Sequence, residues 1–461
     1  MGDNRQKSSH AQRSLSLAMI VKDEGDHLAD CLSSVKPIVD EIVVVDTGSS
    51  DNTVEIARRF GAKTVTFAWC DDFSAARNES LRQATGGWIL VLDADEIVAP
   101  EDLPRIRSFV DRDEFDAIQF LLANYSDDCQ SMWWTPVEPS CSYAKGFSGY
   151  IRVPLVRMWR NRSEYRFHGR VHETIVESIR NAGGKIAETD ILIHHYGKDR
   201  KAQDKRNLYL ELGERNASER PTDPKSQYDV AVQLKELGRL DDAERYYRRA
   251  LALDPKSLLA QSGLVQVLVR SGKLDEAEAM LESMETAGAP PTVSVNLAIV
   301  YMNRGRLTAA MEKLRAALEK NPRDVVGFIH LGKLQERFGN VSSAKKSYRK
   351  ALDLCPAFAP ARTALNAFER RVEAKKLVES GDSLSALKVL KDALKEDPAD
   401  AITYVAIGSV LMSLGQTDAA YRMLLKGLEC EPRLTVVRER LKEVAAVLGK
   451  LEEVEQALAK S

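Results

Sequence analysis

The sequence predicts two unlike halves: an α/β domain whose parallel sheet carries helices on both faces, then an all-α repeat solenoid. Three observations carry that reading. Apolar strand-like runs alternate with amphipathic helical stretches between residues 15 and 96, and this βαβαβαβ order is how parallel sheets are built. All five tryptophans precede residue 160, and four of the seven histidines fall between residues 168 and 195. From about residue 223, glycines recur with a period near 34, which marks stacked helix pairs rather than a sheet.

The elements come in order. "LSLAMIV" (15–21) is apolar almost throughout, as a strand buried on both faces must be, and "KDEGDHLADCLSSV" continues as an amphipathic helix. "EIVVVD" (41–46) is the second strand. In the helix after it, Asn52 and Glu55 stand three residues apart as a capping-box pair. "KTVTFAW" (63–69) is the third strand, and Ser74 is the expected cap of the helix "FSAARNESLRQATGG". "WILVLDADE" (88–96) is the fourth. Side chains alternate along a strand, so Asp93 and Asp95 are expected on one side of its tip, with Ala94 between them. Two carboxylates so placed repel each other unless a cation or a shared proton relieves them. Asp46, Asp71 with Asp72, and Asp93 with Asp95 all follow strands, and ligands of parallel α/β sheets sit beyond those carboxyl ends. Neither a G-x-G-x-x-G loop nor a Walker pattern follows the first strand. Acids in that place would repel a diphosphate unless a divalent cation, which takes oxygen ligands, intervenes.

In the second half, "LKELGRLDDAERYYRRALALDP" (234–255) recurs as "QERFGNVSSAKKSYRKALDLCP" (335–356) and in three further copies. The turn glycines 238, 272, 305, 339, 381, 415 and 449 are spaced 34, 33, 34, 42, 34 and 34. This pattern resembles the tetratricopeptide repeat, in which each helix pair buries its apolar face on the next. The step of 42 predicts an elongated helix or a kink. Such an array offers a concave surface for a chain or a partner, or serves as a scaffold or a self-association device.

Composition narrows the classes. A net charge of −2 over 461 residues argues against a nucleic-acid protein or a polybasic membrane binder. No apolar run approaches the roughly 18 residues of a membrane span. The six cysteines (31, 70, 129, 141, 355, 430) lack C-x-x-C and zinc spacings and read as reduced thiols of a cytoplasmic protein. Residues 1–14 are polar and read as a flexible tail.

The stretches "SLAMIVKDEGDHLADCLSSV", "EIVVVDTGSSDNT" and "FSAARNESLRQATGGWILVLDADE" together resemble the family 2 glycosyltransferases of the GT-A fold, a Rossmann-like α/β sheet, over roughly residues 15–200. "WCDDFSAARN" and "HGRVHETI" are similar to one bacterial branch, with lipopolysaccharide-core glucosyltransferases, peptide S-glycosyltransferases and members that carry tetratricopeptide repeats. The resemblance implies a nucleotide-sugar site. Asp46 would meet the uracil or ribose, Lys22 and Glu24 would lie beside the base, and Asp72, Arg77 and Asn78 would lie near the nucleotide. Asp93 would face ribose or metal, Asp95 would bind Mn²⁺ or Mg²⁺ directly, and His195 would be the third metal ligand, with His194 packing on the opposite face. An inverting transferase needs one group to take the acceptor's proton. Glu173 is the first choice for that base and His172 the second.

The expected organisation is a tail (1–14), a GT-A domain (15–198), a helical linker (199–222) and the repeats (223–461). Trp133 and Trp134 stand in an aromatic stretch that reads equally as an acceptor loop or a core hairpin. Three functions compete. One is a metal-dependent, UDP-sugar-using inverting transferase whose repeats present a protein or peptide acceptor. A second acts on a glycan or lipid-linked saccharide, with the repeats serving assembly, a homo-oligomer included. The third is a repeat scaffold with a degenerate transferase domain, against which the intact set Asp46, Asp93, Asp95, Glu173 and His195 speaks.

Overall fold

The structure, a computed structural model, describes residues 13–127, 133–138, 141–196, 203–432 and 434–460. Most of the expected tail, Cys129, part of the aromatic stretch and the start of the linker lie outside the described residues. The chain divides into two compact units. The first comprises the described residues to Thr135, Tyr143–Lys145 and Gly149–Val267; the second comprises Pro136–Ser142, Gly146–Ser148 and Leu268–Ser461. The first helix pair of the repeats therefore belongs to the unit that holds the sheet.

The sheet strands are β1 (Leu15–Val21), β2 (Glu41–Asp46), β3 (Lys63–Thr66), β4 (Trp88–Val91), β5 (Glu96–Val98), β6 (Ala117–Tyr125), β7 (Trp134–Pro136), β8 (Gly149–Arg160) and β9 (Ile186–His195). Their spatial order is β3-β2-β1-β4-β8-β6-β9-β5, with β7 paired to β8. The first four strands are parallel, as the alternation with helices predicts. Beyond β4 the sheet becomes mixed, since β8 runs antiparallel to β4 and β6 while β6 and β9 are parallel. Both faces are buried. Leu17, Met19, Val44 and Leu90 belong to one apolar cluster, whereas Ala18, Val43, Ile89 and Val91 belong to another, so alternate residues of each strand serve opposite faces.

The helices of the first unit are α1 (Leu28–Val35), α2 (Thr53–Arg59), α3 (Phe73–Gln83), α4 (Leu103–Ser108), α5 (Val176–Asn181), α6 (Gln203–Glu219), α7 (Pro224–Glu236) and α8 (Leu240–Leu253), with most of α9 (Leu258–Arg270). Two expected caps are not made. Asn52 forms no side-chain cap on α2; the Asp51 carboxylate accepts the Thr53 N–H instead, and Glu55 pairs with Arg59. Asp72, not Ser74, caps α3 by accepting the Ala75 N–H at 3.0 Å, which frees the Ser74 hydroxyl to donate to the Gly169 carbonyl.

Fourteen helices run from Pro224 to Lys460 among the described residues. The seven turn glycines have φ between 69° and 88°, a left-handed conformation costly for any side chain. Five residues after six of them comes a fully buried alanine (243, 277, 310, 344, 386, 420), small enough for neighbouring helices to close on it. The step of 42 is an elongated helix, Ala359–Glu379, of 21 residues. In the second unit, burial with help from Lys333 pulls the His330 imidazole down to about 3, and its Nδ1 has no partner. The unfolded chain protonates this ring below about pH 6.5 while the folded chain does not, so the stability it contributes is lost as pH falls from 6.5 toward 3. Between pH 7 and pH 5 the loss is up to about 2 kcal/mol. His330→Leu should shrink the difference between urea midpoints at those two pH values; an unaltered difference refutes the assignment.

Candidate active site

The site is built where β1, β2 and β4 end. Asp46 closes β2 and is buried, its Oδ1 accepting the Ser49 N–H at 3.0 Å. The loops after β1 and β2 are knitted together. Asp23, at φ 54°, accepts the Ser50 N–H at 2.6 Å, which holds its carboxyl below the usual range against mild burial. The Glu24 N–H donates to Thr53 Oγ1 at 2.8 Å, and the Gly25 N–H to Asp51 at 2.9 Å. A Cβ at Gly25 would stand 2.0 Å from the Asn52 amide oxygen, so any side chain there would displace Asn52. Lys22 is exposed beside that junction.

Asp93 and Asp95 do not share one strand face. β4 ends at Val91, and the chain turns tightly, with the Asp93 N–H donating to the Glu96 carboxylate at 2.9 Å and the Glu96 N–H to the Asp93 carbonyl at 3.0 Å. The two carboxylates therefore meet different cations. Asp93 binds Arg77 at 2.7 Å through Oδ1 and Arg157 at 3.0 Å through Oδ2. Burial opposes its ionisation, but the two guanidiniums outweigh burial and hold the carboxyl well below the usual range. Arg77 also grips Glu173 through Nε, and Arg157 grips Glu96. Burial pushes fully buried Glu96 up to about 7; Arg157 opposes this and the Asp93 charge adds to it.

Asp95 goes instead to His195 Nε2 at 3.2 Å. The antiparallel register of β5 and β9, with Glu96 opposite His195, sets the two side by side, and Asn124 on β6 takes the other ring nitrogen. Burial works against the imidazolium, yet the hydrogen bond and charge of Asp95, with Glu96 and Asp93 behind it, raise the His195 pKa. His194 faces away: it is buried, hydrogen-bonded to the Tyr125 hydroxyl at 2.8 Å and stacked on Tyr143. Among the described residues, no group of three or more His, Cys, Asp or Glu is gathered to hold a metal ion. Both oxygens of Asp93 are taken by arginines, so it does not join Asp95 and His195. That touching carboxylate–imidazole pair suits a divalent cation as a partial shell, which oxygens of a bound phosphate could complete.

The loop 168–174 carries both base candidates and sends them apart. Paired N–H donations between His168 and Thr174, each at 3.0 Å, close the loop. It is held to α3 by the Phe73 N–H on the Arg170 carbonyl at 2.8 Å, while Asn78 brackets Phe167 through both its peptide groups. Asn78 thus braces the backbone, and Asp72 is occupied as a cap. Glu173 turns in to Arg77. His172, at φ 52°, turns out to α7, where Gln233 donates to its ring at 3.0 Å and Lys225 to its carbonyl at 3.1 Å. Arg170 pairs with Glu219 of α6 at 3.0 Å.

Three contributors escaped the sequence reading. Arg157 of β8 completes the acid cluster. Asn124 orients His195. Tyr209 of α6 stacks on Phe73 at 5.6 Å with ring planes 6° apart, and burial, with the Asp93 and Glu173 charges beyond it, pushes its hydroxyl up to about 12. The indole of Trp134 is core: it donates to the Ser126 carbonyl at 2.7 Å and leaves no room for a Cβ at Gly149.

The family described as "Glycosyl transferase family 2" matches residues 16–168, and two tetratricopeptide-repeat families match residues 234–290 and 295–359. A TPR repeat-containing protein of Synechococcus elongatus is 31% identical, over 91% of this chain and 94% of the relative. The prophage-derived glycosyltransferase SunS of Bacillus subtilis is 27% identical, over 51% of this chain and 53% of its own. An uncharacterized glycosyltransferase of Rickettsia typhi is 31% identical, over 31% of this chain and half of its own.

Proposed function

Because the chain belongs to the family 2 glycosyltransferases, with tetratricopeptide repeats behind its catalytic domain, we propose that it moves a sugar from a UDP-sugar to a protein or peptide with inversion. The observation that carries this reading is the clasp of Asp93 and Glu173 by one guanidinium, with the Asp95–His195 pair following in the same turn after β4. Asp46, with Lys22 and Glu24 at the knitted loops, would receive base and ribose. A divalent cation held by Asp95 and His195, Mn²⁺ or Mg²⁺, would neutralise the departing diphosphate. Glu173 accepts the proton of the acceptor's nucleophile as that atom bonds to the sugar carbon, and Arg77 fixes which oxygen it presents. His172, facing α7, serves as a brace of the loop. Asn78 and Asp72 act by shaping α3 and that same loop. The name of the relative SunS adds no acceptor; the peptide class rests on the presence of tetratricopeptide repeats, whose first helix pair holds the loop of Glu173.

A panel of nucleotide sugars, read by thermal shift with and without Mn²⁺, tests the donor and the cation together. A UDP-sugar should raise the melting temperature, more with Mn²⁺, by RT ln(1 + [L]/Kd) in free energy. Asp95→Ala should lose the Mn²⁺ increment while staying folded. A shift that is the same in EDTA removes the cation from the proposal, and no shift with any nucleotide sugar removes the donor.

A further inference from the structure

The helix α6 connects the sheet to the repeats, yet one of its side chains reaches the catalytic acids. α6 lies along the loop of Glu173: Glu219 pairs with Arg170 at 3.0 Å, and the Asn216 amide oxygen is 4.0 Å from where a Cβ on Gly169 would stand. Tyr209 precedes Asn216 by seven residues, about two helical turns, so the two look the same way. That face brings Tyr209 onto Phe73, the first residue of α3, where the rings stack at 5.6 Å. Trp69 meets Phe73 edge-on at 4.8 Å. Three aromatic rings from β3's end, α3 and α6 therefore form one cluster beside the loop.

Two groups here have bonding capacity to spare. Glu173 spends one carboxylate oxygen on Arg77, and its other oxygen accepts no hydrogen bond among the described residues. The Tyr209 hydroxyl makes none either. Tyr209 is 37% exposed, so solvent reaches it although Phe73 covers one face of its ring. Its hydroxyl end is the desolvated one: burial is the main cause of its raised pKa, and the charges of Asp93 and Glu173 add to it. The phenol thus stays a neutral O–H at neutral pH, a hydrogen-bond donor near the base's free oxygen.

We propose that Tyr209 holds the acceptor at Glu173: its hydroxyl donates to a carbonyl of the acceptor peptide, and its ring packs on the residue being modified, whose own hydroxyl or thiol lies against the free Glu173 oxygen. The inference rests on the glycosyltransferase reading above and takes the peptide class from it. An acceptor nucleophile must come within hydrogen-bond reach of its base. The cations around that base are engaged already, since Arg77 holds Asp93 and Glu173, and Arg157 holds Asp93 and Glu96. Tyr209 is both unengaged and open to solvent. As a neutral phenol it grips an acceptor oxygen without taking the proton that Glu173 must receive.

The test uses the full chain, a nucleotide sugar that it hydrolyses, and heptapeptides with one central serine or cysteine. Wild type should glycosylate at least one peptide. Tyr209→Phe keeps the stack on Phe73 and removes only the hydroxyl. It should raise the peptide KM about five- to ten-fold, the worth of one hydrogen bond, and lower transfer far more than donor hydrolysis. Tyr209→Ala, which removes the ring as well, should lower peptide transfer further, with the melting temperature checking that α6 stays packed. A purely structural tyrosine would move transfer and hydrolysis together. Equal losses of the two, an unaltered peptide KM in Tyr209→Phe, or a rise confined to the nucleotide-sugar KM would each overturn the contact and leave the transferase reading standing. Hydrolysis with no peptide accepted would overturn the peptide class and this contact with it. No hydrolysis of any nucleotide sugar would instead sink the transferase reading beneath both.

Discussion

A chain ending at Thr222 should lose donor hydrolysis by on the order of 10²-fold, whereas one ending at Arg270 should retain most of it. All the acids of the site precede residue 200, so their mere presence predicts no difference. The loop carrying Glu173 decides the matter. Gln233 and Lys225 of α7 hold His172 by its ring and its carbonyl, and Glu219 at the end of α6 holds Arg170. The buried side of α6 rests on α7: Asn216 donates to Ser226 at 3.0 Å, and the Ala217 carbonyl accepts from Gln227 at 3.3 Å. Cutting at Thr222 removes both latches on His172 and the α7 partners of the helix that also supplies Tyr209. A displacement of about 1 Å in a catalytic group costs about 10²-fold in rate. Cutting at Arg270 leaves the first compact unit whole. Exposed apolar surface complicates any truncation, so Lys225→Met with Gln233→Leu in the full chain is the cleaner probe. It should lower kcat for donor hydrolysis while leaving the melting temperature nearly unaltered. Full hydrolysis by both the shorter chain and the double variant would show that the repeats act on the acceptor alone.

Local sequence encodes some of this architecture and not the rest. Period and composition carry strand and helix identity, so β1 and β2 and every turn glycine of the repeats fall where the pattern predicts. Strand ends carry chemistry for topological reasons, which is why Asp46, at the end of β2, and Asp93 and Asp95, just past β4, stood out in the sequence. Partner choice is another matter. Alternation placed Asp93 and Asp95 on one face, but the Glu96 carboxylate captures the Asp93 N–H and turns the chain early, and that competition is invisible to a period of two. Arg157 lies in "IRVPLVRMWR", where nothing local distinguishes an inward arginine from one at an edge. Capping choices failed for a related reason: Asp51, Asn52, Asp72 and Ser74 all suit a helix start, and the backbone angles of the turn decide among them. Tyr209 was missed because α6 is mostly polar, and only its contact with Phe73 reveals an inward face.

Arg77 should prove the most costly single residue of the site. It is the shared partner of Asp93 and Glu173, and it is nearly buried. Burial disfavours its charge, yet the two carboxylates more than compensate, so its pKa is raised. Replacing it by methionine keeps the bulk and leaves two carboxylates close together with one cation fewer. Breaking a buried ion pair from one side costs about 3–5 kcal/mol. The lower end applies here, because the Asp93 side chain is 34% exposed and water screens it. For a unit of this size that corresponds to a fall in melting temperature of on the order of 10 °C. Arg77→Lys keeps the charge but not the fork, so it should recover part of the stability and little donor binding. Glu173→Gln alone can still accept from Arg77; it should keep the fold and donor binding while losing transfer, since an amide takes no proton. The double variant Arg77→Met with Glu173→Gln then separates the two roles. Removal of the unpaired charge should restore part of the melting temperature, a coupling readable from the double-mutant cycle, while transfer stays absent. Additive stability losses would mean that the Arg77–Glu173 contact carries no weight in the fold. Transfer at the wild-type rate by Glu173→Gln would take the base away from Glu173.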